Sequence, residues 1–480
     1  MEVDVLVAEI GSTTTVVTAI KGIRGPAPII MGQGTGPTTV VRDPSSGLLL
    51  EGDVLVGLEA ALDDLRQNLG ASENLKWGQM LATSSAAGGL RMTVHGLVYD
   101  MTAKAAREAA LGAGAVVQMI TAGDLTPDEL DEVKELAPNI ILLAGGVDHG
   151  DRAVVEGNAR ELAALNLGTP VVFAGNVACR VAVKRAFERD RPPSAVKVVP
   201  NVYPRIDELE VEPARRAIQE IFEDHITRAP GMERLRELVD GPVTPTPGAV
   251  MEAAQVFAEA HGDCIVFDVG GATTDVHSVT AGDEEIARRL VAPEPLAKRT
   301  VEGDLGVFVN APNLVDLIGA DILEERLGFA LVEVLMGEGG RPPNRIPQGE
   351  RERQLARVLA EKCLEVALAR HAGRTRHLYG PGGRQLIAEG KDLTAVKWAI
   401  GTGGALTRLG QNWSRGAMEQ VMAGGDPRAL YPRSPEVLID EMYIMAAAGA
   451  MARVDRAAAL ALMEASLDGI SPGDSGHSGG

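Results

Sequence analysis

Two turns rich in glycine and hydroxyl residues, each preceded by an acidic residue, contain the side chains best suited to chemistry. One acid, Asp268, precedes a turn made of Gly270, Gly271, Ala272 and Thr273. The other, Glu9, precedes a turn made of Gly11, Ser12, Thr13 and Thr14. Consecutive N–H groups in such turns form anion-binding nests, glycine allows close backbone approach to a bound group, and a carboxylate can hold hydrated Mg²⁺ against phosphates. The pattern predicts a phosphate site with Asp268 as metal ligand and Glu9 as a second acid that orients metal or water. Plain hairpin turns and a strand-end cap are the competing interpretations.

A third turn lies far downstream, after a predicted strand at 396–400 and before a predicted helix. It consists of Gly401, Thr402, Gly403 and Gly404. Bare backbone at such a turn lets a flat ring lie against it, so we expect these residues to bind the planar part of a ligand. A close-packed turn between strand and helix is the structural alternative. With 56 glycines among 480 residues, three unrelated turns are the general alternative.

The elements that must position these turns are short apolar strands. Residues 264–267 and 3–10 each form an apolar run that enters a turn, and a second run follows each turn. Runs of this length, rich in β-branched residues and bounded by glycine, are typical of core strands. We therefore expect two β-hairpins, one near the N-terminus and one in the second half of the chain.

Composition excludes several classes of partner and location. The formal net charge of −20 argues against binding to nucleic acid or to an anionic membrane. No apolar run approaches 18 residues, and the N-terminus lacks the basic region of a signal peptide. The three cysteines, Cys179, Cys264 and Cys363, lack any pairing or metal-binding spacing. We expect them to be buried thiols in a reducing compartment, and the protein to be cytoplasmic.

Strand and helix patterns alternate over 79–200, which predicts an α/β unit with a largely parallel sheet. The Pro- and Gly-rich stretch 241–248 predicts a boundary between lobes. We therefore divide the chain into the first part of an N-terminal lobe (1–78), an α/β unit that could bind a client (79–205), a helix and linker (206–248), a C-terminal lobe (249–470) and a disordered tail (471–480).

The three turns together resemble the phosphate and adenosine motifs of the actin/Hsp70/sugar-kinase ATPase superfamily. Over nearly its full length the chain resembles the MutL/GlmL family, the accessory proteins of adenosylcobalamin-dependent glutamate mutase. That resemblance rests on residues 7–15, 84–90, 105–114, 143–148, 268–275, 390–393 and 400–404. It implies an α/β, two-lobed, actin-like fold with ribonuclease-H-like lobes, ATP and Mg²⁺ as cofactors, slow ATP hydrolysis, and a chaperone role toward an adenosylcobalamin-dependent mutase. Most of the superfamily has aspartate where this chain has Glu9, so a metal contact there would be made through a longer side chain.

Two other functions remain open from the residues alone. A small-molecule kinase of the acetate- or sugar-kinase type needs a positioned acceptor and a carboxylate base, and no convincing pair is evident. A filament-forming actin-like protein has no feature of its own beyond the shared core.

Five further residues have both a functional and a plain interpretation. Asp148 and His149 could reach the cleft or remain in a loop, and Lys391, Arg376 and Arg384 could contact γ-phosphate or a partner, or lie in solvent. The oligomeric state is not predicted.

Overall fold

The computed structural model describes residues 1–23, 25, 28–42, 49–71, 75–85, 90–188, 196–226, 232–336, 340–342, 346–380 and 383–468. The predicted tail and part of the stretch 84–90 lie outside these residues. The first lobe contains, in chain order, β1 (Glu2–Ile10), β2 (Thr14–Lys21), β3 (Ile29–Pro37), β4 (Val40–Arg42), β5 (Leu49–Gly52), α1 (Val54–Asn68) and β6 (Lys76–Ser84).

The α/β unit and the connecting segment follow. The unit contains β7 (Leu90–Gly96), a π-helical turn (Tyr99–Ala103), α2 (Lys104–Gly112), β8 (Ala115–Ala122), α3 (Pro127–Leu136), β9 (Ile140–Leu143), α4 (Ala153–Ala164), β10 (Val171–Phe173), a 3₁₀ turn (Val177–Cys179), α5 (Arg180–Glu188) and β11 (Val196–Val198). The connecting segment contains α6 (Glu212–Ile226), α7 (Met232–Leu238), β12 (Thr244–Pro245) and α8 (Thr246–His261).

The second lobe completes the chain. It contains β13 (Cys264–Val269), β14 (Thr274–Val279), α9 (Glu284–Ala287), β15 (Ala297–Glu302), α10 (Ala311–Ile318), α11 (Ala320–Leu327), a 3₁₀ turn (Leu331–Glu333), α12 (Glu350–His371), β16 (Arg374–Gly380), β17 (Gly383–Glu389), β18 (Trp398–Thr402), α13 (Gly403–Arg408), α14 (Gln411–Ala423), β19 (Glu436–Ile439), α15 (Met445–Ala452) and α16 (Arg456–Ser466).

The two lobes are built on sheets with the same topology. The strand order is β3-β2-β1-β6-β12 in the first lobe and β15-β14-β13-β18-β19 in the second. In each sheet the first three strands form an antiparallel meander, and the last two run parallel to the central strand. This is the ribonuclease-H-like arrangement, so the predicted two-lobed α/β fold is confirmed.

The central strand of the second lobe is an unbroken apolar run because both of its faces are covered. Ile265 and Phe267 pack with α12, and Val266 packs on the opposite side with α8 and α15. A strand buried on both faces lacks the polar–apolar alternation of a half-exposed strand. The run ends at Asp268, the first residue of the strand to face the space between the lobes.

The α/β unit contains a sheet of five parallel strands in the order β11-β10-β9-β7-β8. Helices connect successive strands, as in doubly wound α/β folds. The strand order reverses at β7, which has β8 on one side and β9 on the other. Strand β6, at the start of the predicted 79–205 unit, pairs instead with β1 in the first lobe. The strands of the separate sheet therefore begin at Leu90.

Helices α8 and α15 pack between the two lobes, and their apolar side chains form one core with side chains of both lobes. That core combines side chains of β1, α8, β13, β18 and α15. The small residues of α15 permit this packing, because a Cβ on Gly449 would stand 1.8 Å from the carbonyl oxygen of Ala249 in α8. The three cysteines are buried free thiols, as predicted. Within the described ranges, no helix is long and apolar enough to cross a membrane.

Candidate functional site

A cavity of about 480 Å³ lies between the two lobes. The predicted residues that line it are Glu9, Gly11, Ser12, Thr13, Thr14, Asp268, Gly270, Gly271, Ala272, Thr273 and Gly404. The two turns that were separate in the sequence thus form opposite walls of one space. A Cβ placed on Gly271 would stand 3.6 Å from Oγ1 of Thr13, so the tips of the two turns face each other closely.

Both turns have the same construction. The N–H of Gly11 donates to the carbonyl of Thr14 over 3.0 Å, and the N–H of Gly270 donates to the carbonyl of Thr273 over 2.9 Å. The acid lies two residues before the glycine in each case, at Glu9 and at Asp268. A side chain is excluded at Gly11, because its Cβ would stand 2.5 Å from the Thr14 carbonyl oxygen.

The segments that contain Thr38 and Phe308 lie behind the two turns and hold the carbonyls of the turns away from the cavity. These two are called the backing segments. Oγ1 of Thr38 donates to the carbonyl of Gly11 over 2.9 Å, and the N–H of Phe308 donates to the carbonyl of Gly271 over 2.9 Å. Across a trans peptide the C=O and the following N–H point in opposite directions. The N–H groups of Ser12 and Ala272 are therefore directed away from those backing segments, and neither donates to a carbonyl within the described residues. Such groups are suited to binding an anion.

The acids of the cavity are crowded and incompletely balanced by positive charge. Burial raises the pKa of Asp268 well above its usual range, and the carboxylates of Asp275, Glu9 and Asp440 raise it further, while Arg299 lowers it. Asp268 and Asp275 are directly opposite neighbours on β13 and β14. Burial is also the largest cause that raises the pKa of Glu9 to about 7.

This surplus of carboxylate charge fits a divalent cation. Oxygen donors are the ligands that Mg²⁺ prefers, and Mg²⁺ is usually held by one or two carboxylates together with phosphate oxygens and water. Among the described residues, no group of three or more His, Cys, Asp and Glu side chains is arranged to hold a metal. Asp268 lines the cavity, and no group within the described residues donates a hydrogen bond to its carboxylate. It is the residue whose chemistry fits such an ion best.

The predicted adenosine turn is only partly in the cavity. Gly404 lines it, together with Ala405 and Arg408 of α13 and Leu409, the residue that follows this helix. The other three residues are absent from the described lining and have structural contacts instead. A Cβ on Gly401 would stand 2.7 Å from the sulfur of Met418, Oγ1 of Thr402 donates to Asp440 over 2.8 Å, and a Cβ on Gly403 would stand 2.5 Å from Oδ1 of Asp268. Gly403, with a φ of 85°, thus leaves room for the carboxylate.

Tyr443 is a lining residue that the sequence patterns did not indicate. Its hydroxyl donates to Oε1 of Glu9 over 2.8 Å, and its backbone is left-handed, with a φ of 51°. This conformation is uncommon for a bulky side chain and occurs often at functional sites. Asp440 fixes the segment by accepting from the N–H groups of Ile444 and Met445 at the start of α15. No local pattern marks Tyr443; only the fold brings it to Glu9.

Five further residues had both a functional and a plain interpretation in the sequence, and none of them lines the cavity. They are Asp148, His149, Lys391, Arg376 and Arg384. Oδ1 of Asp148 accepts from the N–H of Val177 within the α/β unit, and His149 is a loop residue with a φ of 64°. Arg376 pairs with Glu389 on the surface, and Arg384 contacts the exposed ring of His377. The interpretation that Lys391 lies in solvent is wrong. Its ammonium is buried and donates to the carbonyls of Thr280, Pro295 and Leu296.

Comparison with known proteins identifies relatives over most of the chain. A family model described as MutL protein matches residues 5–467. The Protein MutL of Clostridium tetanomorphum is 37% identical over 462 residues, which cover 93% of this chain and 95% of that protein. Two solved structures align with lower similarity. A diol dehydratase-reactivating factor in nucleotide-free form has a TM-score of 0.37 and 11% identity, covering 94% of this chain and 99% of its own. The nucleotide-free structure of acetone carboxylase has a TM-score of 0.38 and 13% identity, covering 94% and 70%.

Proposed function

This chain belongs to the MutL protein family, and we propose that it is an ATP-binding reactivating factor for an adenosylcobalamin-dependent mutase, of the glutamate mutase or aminomutase type. One observation carries the nucleotide part of this proposal. Two turns of identical construction, each with an acid two residues before its glycine, face each other across one cavity. Paired anion-binding turns on opposite lobes can hold a polyphosphate between them.

The residues divide into three groups by role. The N–H groups of Ser12 and Ala272 and the hydroxyls of Ser12, Thr13, Thr14 and Thr273 bind the phosphates, and Asp268 holds Mg²⁺. Gly404, Ala405, Arg408 and Leu409 contact the adenosine. The chemistry that Mg²⁺ supplies when bound is partial neutralisation of the phosphate charge.

Glu9 is the residue best placed to act on water. Its pKa of about 7 lies near physiological pH, where a carboxylate is most effective as a general base. Tyr443 holds one oxygen of this carboxylate in place, which leaves the other oxygen for a water molecule. We expect hydrolysis to be slow and to drive closure of the lobes, as the family resemblance implies.

The same base supports the alternative, a small-molecule kinase. A carboxylate with a pKa of about 7 could take the proton of an acceptor hydroxyl as readily as that of water. A coupled assay separates the two. Phosphate release from ATP and Mg²⁺ alone supports the reactivating factor, whereas ATP turnover that requires an added sugar or carboxylic acid supports the kinase.

The α/β unit is the surface that we assign to the mutase. Its described residues from 90 to 188 and from 196 to 205 contribute nothing to the cavity lining. A second cavity, of about 560 Å³, lies where the unit meets the second lobe. Large apolar side chains are exposed around it, among them Tyr99, Ile206 and Val291. An interface between proteins typically buries such side chains.

The proposal is tested by reactivation in solution. A glutamate mutase or aminomutase is inactivated by turnover and then incubated with this protein, fresh adenosylcobalamin, Mg²⁺ and ATP. We expect mutase activity to return with ATP and not with a non-hydrolysable analogue. We also expect the isolated chain not to bind free cobalamin. Failure of every such mutase to recover, or tight cobalamin binding by the isolated chain, would contradict the reactivating role.

A further inference from the structure

We infer that Arg299 is the positioning residue that couples the nucleotide cleft to the α/β unit. Its guanidinium contacts Asp275 on one side and the backbone of α2 on the other. This inference rests on the proposed nucleotide site and adds the regulation of that site. It also gives a role to the stretch 105–114, which carries the family resemblance but does not line the cleft.

The contact on the cleft side is a buried ion pair. Nε of Arg299 donates to Oδ1 of Asp275 over 2.7 Å, and Nη2 lies 2.5 Å from the same oxygen. Only 3% and 7% of the two side chains are exposed. Asp275 lines the cleft, and its other oxygen accepts from Oγ1 of Thr273, 3.3 Å away, in the second turn. A phosphate bound at that turn alters both the contacts of Thr273 and the electrostatic potential at Asp275.

The contact on the other side reaches the end of α2. Nη1 of Arg299 donates to the carbonyl of Leu111 over 2.9 Å, and the carbonyl of Ala115 at the start of β8 is 3.5 Å away. A cation is favourable at this position because carbonyls at a helix C-terminus carry partial negative charge. The guanidinium is therefore held by a carboxylate of one sheet and by the backbone of another unit.

The end of α2 is tightly fitted, so it cannot absorb a movement of Arg299 locally. Gly114 has a φ of 90°, and a Cβ there would stand 2.9 Å from Cβ of Pro245 in β12. Breaking a buried pair leaves an uncompensated charge, which favours joint movement of Asp275, Arg299 and the α2 terminus. A closely packed helix transmits such a shift along its length rather than deforming continuously.

The other end of α2 lies at the surface that we assign to the mutase. Lys104 and Arg107, from its first turns, line the cavity of about 560 Å³ together with Tyr99 of the preceding π-helical turn. One helix thus extends from the Arg299 contact to the proposed mutase surface. The nucleotide state of the cleft can in this way alter the geometry of that surface.

Hydrogen exchange with mass spectrometry tests the coupling in the full chain. Amide exchange over 104–115 is measured with and without the non-hydrolysable analogue AMPPNP and Mg²⁺, and analogue affinity is measured separately by calorimetry. A coupling free energy of about 1 kcal/mol, the lower end of the usual range, corresponds to a factor of about five. We therefore expect the amide exchange rate over 104–115 in the parent to change by at least about fivefold on binding. Arg299→Lys keeps a charge beside Asp275 but has no planar fork to reach Leu111, and it should lose this response.

A matched control is Arg415→Lys. Arg415 also pairs with a carboxylate, that of Asp468, and with a backbone carbonyl, that of Val437, but all three lie within the second lobe. We expect this variant to keep the full exchange response. An Arg299→Lys protein that binds AMPPNP and responds as the parent does would overturn the inference. If Arg299→Lys does not bind AMPPNP, the test rests on the parent protein. An exchange rate over 104–115 that stays unchanged when the parent binds AMPPNP would also overturn the inference. Failure of the parent to bind AMPPNP would instead contradict the proposed nucleotide site.

Discussion

The hydroxyl of Tyr443 donates a hydrogen bond to Oε1 of Glu9 over 2.8 Å, although 434 positions separate the two residues in the chain. The contact joins the first strand of one lobe to the segment that follows the last strand of the other. It holds the acid of the first turn in a fixed position within the cleft. It also lowers the pKa of Glu9, against the larger effect of burial. A single hydroxyl therefore affects both the position of this acid and its protonation.

Tyr443→Phe tests this contact. Loss of the hydroxyl removes the hydrogen bond that lowers the pKa of Glu9, so that pKa should rise above about 7. If ionised Glu9 is the base, the acidic limb of the pH profile of ATP hydrolysis moves to higher pH, by about one pH unit for a hydrogen bond of about 1.4 kcal/mol. The affinity for ATP should change little. A profile with an unchanged acidic limb and an unchanged rate would exclude this role for Tyr443.

Glu9→Gln should change stability in a way that depends on pH. Burial raises the pKa of Glu9 from its usual 4.5 to about 7, so ionisation in the folded state opposes folding. In the parent, the loss of free energy of unfolding caused by Glu9 begins near pH 4.5, where the unfolded state ionises. This loss grows as pH rises and is complete above about pH 7. The variant in nucleotide-free form should therefore gain about 3 kcal/mol in free energy of unfolding at pH 8, but only about 1 kcal/mol at pH 5. Urea denaturation at both pH values measures this. An equal gain at both would show that titration of Glu9 is not the cause.

Gly403→Ala and Gly404→Ala form a matched pair of adjacent substitutions. A Cβ on Gly403 would stand 2.5 Å from Oδ1 of Asp268, at a φ of 85°, whereas a Cβ on Gly404 would meet nothing within 4 Å. We expect Gly403→Ala to lower the free energy of unfolding by at least about 1 kcal/mol, because of the left-handed backbone, and to displace Asp268. Gly404→Ala should keep stability, since Gly404 is the second residue of α13 and alanine is favourable in a helix. Equal stability of the two variants in thermal denaturation would contradict the assigned role of Gly403.

Asp268→Ala should abolish Mg²⁺-dependent ATP hydrolysis while the fold is retained. The change removes the proposed metal ligand and relieves repulsion among Asp268, Asp275, Glu9 and Asp440, so folding should not suffer. Phosphate release is measured across a range of Mg²⁺ concentrations, with circular dichroism to check the fold. Asp426→Ala is a control, because its carboxylate pairs with Arg428 on the surface. Hydrolysis by Asp268→Ala at the parent rate would show that the metal is held elsewhere.

Local patterns were sufficient for the elements that carry the turns, and insufficient for the contacts across the cleft. The apolar run at 264–267 and the acid after it lie where predicted, because a strand covered on both faces and a glycine turn each leave a signal within a few residues. The contact between Tyr443 and Glu9 depends on how two distant segments pack, so no short window contains it. The same applies to Lys391, whose buried position is decided by three carbonyls about a hundred residues away.

The turn at 401–404 shows a different limit. Its glycines suggested a seat for adenosine, but a glycine is also needed wherever two pieces of backbone approach closely. Gly401 and Gly403 accommodate Met418 and Asp268, and only Gly404 faces the cleft. Sequence alone cannot distinguish a glycine that admits a ligand from one that admits a neighbouring side chain.

Calorimetric titration of the full chain with ATP, in the presence and absence of Mg²⁺, tests the central claim most directly when it is repeated on Gly271→Val. A Cβ at Gly271 would stand 3.4 Å from Cβ of Phe308 and 3.6 Å from Oγ1 of Thr13, so the branched side chain of valine would occupy the gap between the two turns. We predict one site per chain, tighter binding with Mg²⁺, and an affinity at least about tenfold weaker, or 1.4 kcal/mol, in Gly271→Val. Equal ATP binding by the parent and by a correctly folded Gly271→Val would contradict a phosphate site between the turns.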